Sequence, residues 1–185
     1  ALLQRGWNAV GVDVGPDLPA RLQSEAVEVA WLALHGQFGE DGCVQGMLEI
    51  LRIPYTGSGA SASAAAMDKI TTKRLLADSG IPMPSDRTWS VGEPLPEGLH
   101  YPVVAKTPEG GSTLGLEICA NEAELSRALQ NLQRMGQEVL LEEFIAGREI
   151  TVAVLEGEAF PVVEIVPDSG FFDFEAKYTE GRTRY

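Results

Sequence analysis

The chain has 185 residues, 44% of them hydrophobic and 22% charged, a composition typical of a globular protein with one large domain or two small ones. Its 14 basic and 27 acidic residues give a formal net charge of −13, and this acidity repels phosphate backbones and anionic lipid, so we expect neither nucleic acid nor a membrane as a partner. Cys43 and Cys119 have no further cysteine or histidine at zinc-ligand spacing, which favours a reduced, cytoplasmic compartment.

The first third of the chain is predicted to be a parallel α/β domain. Alternating apolar and polar residues over 7–14 indicate a short strand, and a charged helix is expected over 18–28. The apolar run 29–35, ended by Gly36, is typical of a strand buried on both faces of a parallel sheet. Asp41 is expected to cap a helix with apolar residues at i, i+3, i+4 and i+7, namely Val44, Met47, Leu48 and Leu51.

In the middle of the chain, one helix is predicted over 66–78, stopped by Gly80. The next strand is expected over 101–105. Lys106 follows that strand directly, and the Gly-rich segment 110–115 comes next. A lysine and a glycine-rich loop after a strand supply the positive charge and the accessible backbone N–H groups that a polyphosphate needs.

The last third is predicted to be largely antiparallel. Asn121 is expected to cap a helix with the apolar stripe Leu125, Ala128, Leu129 and Leu132. A strand is expected over 138–145. Alternation over 150–154 and an apolar run over 160–166, separated by a Glu-Gly-Glu turn, indicate an antiparallel pair. The remaining segment, 167–185, is expected to be an aromatic, charged loop of the functional kind.

Several side chains have both a plain and a functional interpretation, and spacing alone leaves both open. The candidate phosphate ligands are Lys69, Lys106 and Lys177. The alternative is that Lys69 and Lys177 are solvated surface charges and that the Gly-rich loop is a hairpin. The acidic residues near one strand end are either a solvated edge or acceptors for an amino group and a ribose: Glu142, Glu143 and Glu149. The aromatic residues are either core or the walls of an adenine site: Phe144, Phe171 and Phe172. A lone strand-end histidine, here His35, is more often a structural hydrogen-bonding residue.

Five runs, taken together, resemble one family. They are HGQFGEDGCVQG, YTGSGASASAAAMDKITTKRLL, VVAKTPEGGSTLG, VLLEEFIAGREITVAVL and FFDFEAKY. Their order and spacing resemble the D-alanine:D-alanine ligases of the ATP-grasp superfamily. The resemblance implies an α/β fold with an N-terminal parallel α/β domain at 1–57, a central ATP-grasp subdomain at 58–141 and the start of a C-terminal ATP-grasp subdomain at 142–185, the last two forming a partial pair of antiparallel sheets.

The family resemblance also implies an activity. Such enzymes join two D-alanines in an ATP-dependent reaction for peptidoglycan synthesis, through an acyl phosphate formed on the first D-alanine. They use ATP with Mg²⁺ or Mn²⁺, act in the cytoplasm and are typically homodimers. We expect the chain to be partial, with the metal ligands and one glutamate of a hydrogen-bonded triad outside it.

Carried over position by position, the resemblance implies a nucleotide site. Lys69 and Lys106 match phosphate-binding lysines, and Lys177 lies over the transferred phosphoryl group. Ser112 and Thr113 lie in the loop that covers the phosphates. The residues implied to contact the adenine and the ribose are Glu142, Glu143, the Ile145 backbone, Glu149 and Phe171.

The resemblance implies substrate contacts as well. Ser112 and Tyr178 match two members of the triad that closes a loop over the substrates, and His35 lies near the first D-alanine. A ligase that makes D-alanyl-D-lactate is the nearest alternative, distinguished by the loop around Tyr178. A non-catalytic nucleotide-binding protein and a carboxylate–amine ligase with other substrates are the remaining alternatives.

Overall fold

The computed structural model of the protein describes residues 2–185. The chain forms two compact units, which meet in sequence between Met67 and Asp68. The division at 57/58 and 141/142 expected from the sequence stays a prediction. Among the described residues, no helix is long and apolar enough to cross a membrane.

The first unit is a helical layer around a small apolar core. After a 3-10 helix at Leu3–Arg5 come α1 (Leu18–Ser24), α2 (Cys43–Leu51) and α3 (Ala60–Met67). The core is formed by the buried side chains of α1 and α2: Leu18, Leu22, Val44 and Leu48. The predicted amphipathic stripe of α2 is therefore confirmed, because Met47 and Leu51 pack against the same core.

Two predicted strands of this unit are wrong. Residues 7–14 are irregular, and the run 29–35 forms only a single parallel bridge, between Ala30 and Tyr55. A strand is buried on both faces only where strands flank it and helices cover both faces. Here one face of the run packs on the core, whereas Val29 and Trp31 on the other are 61% and 68% exposed.

The start of α2 depends on a glycine. Asp41 was expected to be the cap, and its carboxylate does accept hydrogen bonds from the backbone N–H groups of Phe38 (2.7 Å) and Cys43 (3.0 Å). The capping position itself, however, is Gly42, with a φ of 88°. A left-handed backbone is unfavourable for a residue with a Cβ, so glycine is the residue suited to this position.

The single helix expected over 66–78 is in fact two, α3 and α4 (Lys69–Leu76). Asp68 interrupts them with an extended backbone, φ −87° and ψ 109°, and its carboxylate accepts from the N–H groups of Ile70 (2.9 Å) and Thr71 (3.2 Å). An aspartate side chain that accepts these hydrogen bonds stabilises the start of a new helix. This capped start competes with an uninterrupted helix from α3 into α4. As a result Lys69 is the first residue of α4.

The second unit contains a four-stranded antiparallel sheet with one helix against it. Its strands are β1 (Asp86–Ser90), β2 (Val103–Lys106), β3 (Leu116–Cys119) and β4 (Glu138–Glu143), in the order β1-β4-β2-β3. The helix α5 (Glu122–Leu132) begins at Asn121, whose side chain accepts from the Glu124 N–H at 3.0 Å. Its predicted stripe is buried, as expected: Leu125, Ala128, Leu129 and Leu132.

The two faces of this sheet differ in character. Val103, Ala105 and Leu141 point into the core shared with α5. Successive side chains of a strand alternate between faces, so Lys106 and Glu142 belong to the opposite face. That polar face carries the candidate site.

The rest of the second unit consists of short antiparallel strands and a short helix. The elements are β5 (Glu149–Thr151), β6 (Val154–Leu155), β7 (Glu158–Ala159), β8 (Val163–Pro167), α6 (Phe174–Tyr178) and β9 (Thr183–Arg184). The predicted antiparallel pairing is confirmed, with Ile150 opposite Glu164, but it is divided between a three-stranded sheet and the β6–β7 hairpin. The loop expected over 167–185 is wrong in part, because Asp173 caps α6 and β9 pairs with β8.

Candidate functional site

A lysine–carboxylate cluster lies on the polar face of the four-stranded sheet, made of Lys73, Asp86, Lys106 and Glu142. Glu142 Oε1 accepts from Lys73 Nζ at 2.8 Å, and Glu142 Oε2 forms an ion pair with Lys106 Nζ. Lys73 Nζ also lies 3.0 Å from Asp86 Oδ1 and donates to the Pro84 carbonyl at 2.7 Å. The side chains of Lys73 and Glu142 are only 13% and 9% exposed. The cluster is therefore a largely desolvated network of charges.

The strand register brings these charges together. Asp86 of β1 lies directly opposite Glu142 of β4, and two like charges in such a pair repel each other. Lys73, about one helical turn after Lys69 in α4, places its ammonium between the two carboxylates. On the other side of β4, Val104 of β2 lies directly opposite Glu142. Lys106 lies two residues further along β2 on the same face, so it is a diagonal neighbour of Glu142.

The cluster keeps Glu142 ionised. Burial by itself raises the pKa of the Glu142 carboxyl, but the ammonium groups of Lys106 and Lys73 outweigh burial and hold that pKa below its ordinary value of 4.5. Burial lowers the pKa of Lys73, and its bonds to Glu142 and Asp86 outweigh that effect and raise the pKa overall. The ionised form of each of these two side chains is therefore stabilised by the opposite charges beside it.

This dependence predicts how acid affects stability. A carboxyl whose folded pKa is depressed stabilises the fold above its unfolded pKa, and the contribution disappears as the pH falls through the folded pKa. For Glu142 the loss begins near pH 4.5 and continues below it. We therefore expect the melting temperature of the parent to fall more steeply below that pH than the melting temperature of Glu142→Gln. Parallel melting curves against pH for the two proteins would contradict the ion-pair assignment.

Lys69 lies at the base of the Gly-rich loop. Its Nζ donates to the carbonyls of Pro108 (3.1 Å) and Gly110 (3.0 Å), and its backbone N–H donates to Pro108 O at 3.0 Å. Burial, together with the nearby charge of Lys106, lowers the pKa of Lys69. A cation held against the backbone of a glycine-rich loop has the chemistry of a phosphate-binding position.

The Gly-rich loop is tied to α6 and the residues before it. Ser112 Oγ and Tyr178 Oη share a hydrogen bond of 2.6 Å, which confirms the contact predicted from the sequence. Thr113 Oγ1 donates to the Phe172 carbonyl at 2.8 Å. Ser112 and Thr113 have φ values of 56° and 64°, a left-handed conformation that is costly for residues with a Cβ. The two side-chain bonds thus hold a strained loop against Tyr178 of α6 and the Phe172 carbonyl.

Other candidate residues lie around this loop and β4. Lys177 Nζ is 5.0 Å from the ring centre of Phe172. Phe171 is half-buried, and its carbonyl accepts from the Ser169 hydroxyl at 2.8 Å. Ile145 is 60% exposed just after β4. Of these residues, Lys177 is placed over an aromatic ring, while the expected contacts of Phe171 and Ile145 with a nucleoside stay predictions.

The remaining candidates are placed differently from the lysines. Glu143 Oε2 accepts from Ser85 Oγ at 2.8 Å, so this carboxylate ties β4 to the segment before β1. Glu149 is exposed at the start of β5. Both oxygens of Glu142 are held by lysines, and its expected role toward adenine stays a prediction. His35 is exposed in the first unit, and its expected place near the first D-alanine stays a prediction.

Lys73 and Asp86 are not among the site residues predicted from the sequence. A signal for Lys73 was present, because it follows Lys69 by four residues and the two share one face of α4. Asp86 had no comparable signal, since β1 itself was not predicted. Among residues 2–185, no group of three or more His, Cys, Asp or Glu side chains is placed to hold a metal ion.

Comparison with known sequences identifies both units. The family model for the D-ala D-ala ligase N-terminus matches residues 13–58, and the model for the D-ala D-ala ligase C-terminus matches residues 85–185. A D-alanine--D-alanine ligase of Syntrophotalea carbinolica is 46% identical over 186 residues, which cover 100% of this chain and 61% of that protein. One from Geobacter sulfurreducens is 47% identical over 188 residues, covering 100% of this chain and 60% of the relative.

Solved structures agree with the sequence matches. A D-alanine--D-alanine ligase from Bacillus anthracis superposes with a TM-score of 0.81 at 34% identity, over 98% of this chain and 61% of that one. A structure of the Bacillus anthracis D-alanine--D-alanine ligase complexed with ATP superposes with a TM-score of 0.77 at 32% identity, over 88% of this chain and 56% of that one. The chain thus spans about three fifths of the length of the relatives it matches. Two family models, close curated relatives and a shared ATP-grasp fold together show that this chain belongs to the D-alanine–D-alanine ligase family.

Proposed function

We propose that the protein joins two D-alanines to D-alanyl-D-alanine at the expense of ATP, as a cytoplasmic step of peptidoglycan precursor synthesis. The observation that carries the proposal is the combination of two lysines with a Gly-rich loop that is hydrogen-bonded to α6. Lys69 and Lys106 lie beside the Gly-rich loop, and the Ser112–Tyr178 bond holds that loop against α6. The relatives named above carry the same activity in their names, and one of their structures binds ATP. A homodimer is part of the proposal.

The proposed reaction has two steps. The carboxylate of the first D-alanine attacks the γ-phosphorus of ATP, forming an acyl phosphate and releasing ADP. The amine of the second D-alanine then attacks the acyl carbon, loses a proton and displaces inorganic phosphate. Lys69, Lys106 and Lys177 offset the phosphate charge that otherwise repels the attacking carboxylate. Glu143, Glu149, Phe171 and the Ile145 backbone are proposed for the nucleoside.

Two further roles belong to this proposal. Exclusion of water by the Ser112–Tyr178 loop protects the acyl phosphate from hydrolysis, and Thr113 supports the loop through Phe172. His35 is proposed to lie near the first D-alanine. Magnesium or manganese is expected from the family, but residues 2–185 bring together no set of side chains that fits such an ion, and no step here depends on one.

The reaction class is tested with the full protein. We expect phosphate release from ATP that requires D-alanine, with D-alanyl-D-alanine as the product. Binding of ATP without D-alanine-dependent turnover would instead favour a nucleotide-binding module. Preferential use of D-lactate as the second substrate near neutral pH would favour a depsipeptide ligase. Tyrosine carries no positive charge, so Tyr178 does not repel the ammonium form of D-alanine, which is the reason we expect the dipeptide.

The loop-closing role of Tyr178 gives a prediction for Tyr178→Phe. Without the hydroxyl the loop loses its bond to Ser112 and closes less firmly, so we expect kcat to fall by about tenfold, or ~1.4 kcal/mol. The preference for D-alanine over D-lactate should be unchanged. Steady-state kinetics with the two substrates in competition measures both quantities.

The controls isolate one hydrogen bond. Tyr185→Phe makes the same chemical change at an exposed tyrosine and should leave kcat at the parent value. Ser112→Ala removes the other partner, and because the two residues share one bond, the double variant should be no slower than either single variant. Additive losses in the double variant would show that the two hydroxyl groups act separately.

A further inference from the structure

The arrangement around Glu142 raises a question about nucleotide binding. In the structure, Lys106 is paired with a buried carboxylate, yet the proposed function requires Lys106 to contact a phosphate. Moving Lys106 to the nucleotide removes one of the two cations that compensate Glu142. An ionised carboxylate left without a partner in a desolvated position is strongly unfavourable. Whether Lys106 can leave Glu142 for a phosphate therefore depends on the second cation beside Glu142, which is Lys73.

The second cation, Lys73, is built to stay where it is. It is held by three oxygen atoms, from Glu142, Asp86 and the Pro84 carbonyl, at 2.7 to 3.0 Å. Its side chain is 13% exposed, compared with 20% for Lys106, which among residues 2–185 forms an ion pair with Glu142 alone. A cation with three oxygen partners gives up more interaction energy when it leaves its site than a cation with one such partner.

We infer that Lys73 is a positioning residue for the nucleotide site: it remains with Glu142 as a fixed partner, so that Lys106 can transfer to a phosphate without leaving a buried charge unpaired. The inference rests on the proposed function, since it presumes that Lys106 binds ATP. Lys73 itself touches neither substrate in this account. It sets the affinity for ATP through the carboxylate it shares with Lys106.

The charges that face Glu142 come from three elements and define the test. They are Lys69 and Lys73 from α4, Asp86 from β1 and Lys106 from β2. In Lys73→Met, Glu142 has Lys106 as its remaining direct partner. ATP then competes with Glu142 for Lys106, and the affinity for ATP should fall by about tenfold or more, the loss typical of one charge-assisted contact. Isothermal titration of the full protein with ATP measures this change.

A double-mutant cycle with Glu142→Gln separates positioning from simple charge or packing. The glutamine carries no charge, so nothing unpaired is left behind when Lys106 moves. Adding Lys73→Met to Glu142→Gln should then weaken ATP binding by less than about threefold. If Lys73→Met lowers the affinity for ATP by the same factor with and without Glu142→Gln, the inference is wrong. If Lys73→Met does not fold, Lys73→Gln serves in the same cycle, because it keeps a donor for the Pro84 carbonyl without the charge.

Proton uptake provides a second readout, which a purely structural role would not produce. In Lys73→Met, Glu142 loses its cation when ATP binds and takes up a proton instead, so ATP binding should be accompanied by up to about one extra proton. Affinity should correspondingly rise as the pH is lowered. Titrations in two buffers of different ionisation enthalpy measure the uptake. The same proton balance in Lys73→Met as in the parent would contradict the inference.

The outcomes distinguish this inference from the proposed function. If the parent does not bind ATP, both fail. If the parent binds ATP but Lys106→Ala binds it equally well, the phosphate role of Lys106 fails, and the role of Lys73 with it. If Lys106→Ala weakens binding and Lys73→Met does not, the proposed function stands and the inference about Lys73 is wrong. D-alanine-dependent phosphate release, measured separately, tests the ligase reaction itself.

Discussion

Lys106→Ala is expected to weaken ATP binding by ten- to a hundredfold. Hydrogen bonds to charged groups typically contribute about 1.5 to 3 kcal/mol, and each ~1.4 kcal/mol corresponds to a factor of ten in affinity. Removal of Lys106 also frees Glu142 from one ion pair, but Lys73 remains beside that carboxylate. We therefore expect the melting temperature to change little. Titration with ATP and a thermal melt of the full protein measure the two effects.

The control for this prediction removes a positive charge elsewhere. Arg134 is exposed in the segment between α5 and β4, and Arg134→Ala changes the net charge by the same amount as Lys106→Ala. Salt screens an exposed charge far more than a partly buried one, so the affinity of Arg134→Ala for ATP should match that of the parent. Equal affinities in Lys106→Ala and the parent would overturn the phosphate assignment of Lys106.

Gly42→Ala is expected to destabilise the first unit by about 2 to 4 kcal/mol, because two costs combine. The φ of Gly42 is 88°, a conformation in which a Cβ is strained. A Cβ built at this position would also lie 2.3 Å from the Ala60 carbonyl oxygen, at the start of α3. That neighbour is backbone and cannot move aside like a flexible side chain, so either α2 or α3 must shift.

Thermal unfolding of the full protein measures this loss, which for a chain of this size lowers the melting temperature by roughly 4 to 16 °C. Gly46→Ala is a matched control within the same helix. There the added Cβ would meet its nearest atom at 3.8 Å, in ordinary contact, and the backbone is helical. Alanine is favoured over glycine inside a helix by about 1 kcal/mol, so Gly46→Ala should be neutral or stabilising. A parent-like melt of Gly42→Ala would contradict the strain argument.

The elements that the sequence predicted well have local causes. The stripe of α5 and its Asn121 cap depend on residues three and four apart, and the structure has both. The stripe of α2 was equally clear. The contact between Ser112 and Tyr178 was predicted from the family resemblance and not from spacing, since 66 residues separate the two.

The predictions that failed needed information from distant residues. An apolar run such as 29–35 reads as a doubly buried strand, but whether both faces are covered depends on which elements flank it, and here Trp31 is exposed. The break at Asp68 illustrates a different cause. Helix propensity favours continuing from α3 into α4, whereas the Asp68 carboxylate satisfies two N–H groups of a new helix. Local preference and capping compete, and a sequence pattern does not show which one prevails.

By itself the sequence determined the family, the Gly-rich loop and Lys106 shortly before that loop, because these depend on residue identity and order along the chain. The contact of Lys69 with the loop appears only in the structure. Only the tertiary structure decided how the charges are paired. Asp86 lies opposite Glu142 in the pairing of β1 with β4, and Lys106 reaches Glu142 from the neighbouring strand β2. Lys73 lies on α4 and precedes Glu142 by 69 residues in the chain. The physical reason is that the energy of a buried charge depends on every charge within a few ångströms, and those distances are set by packing and register.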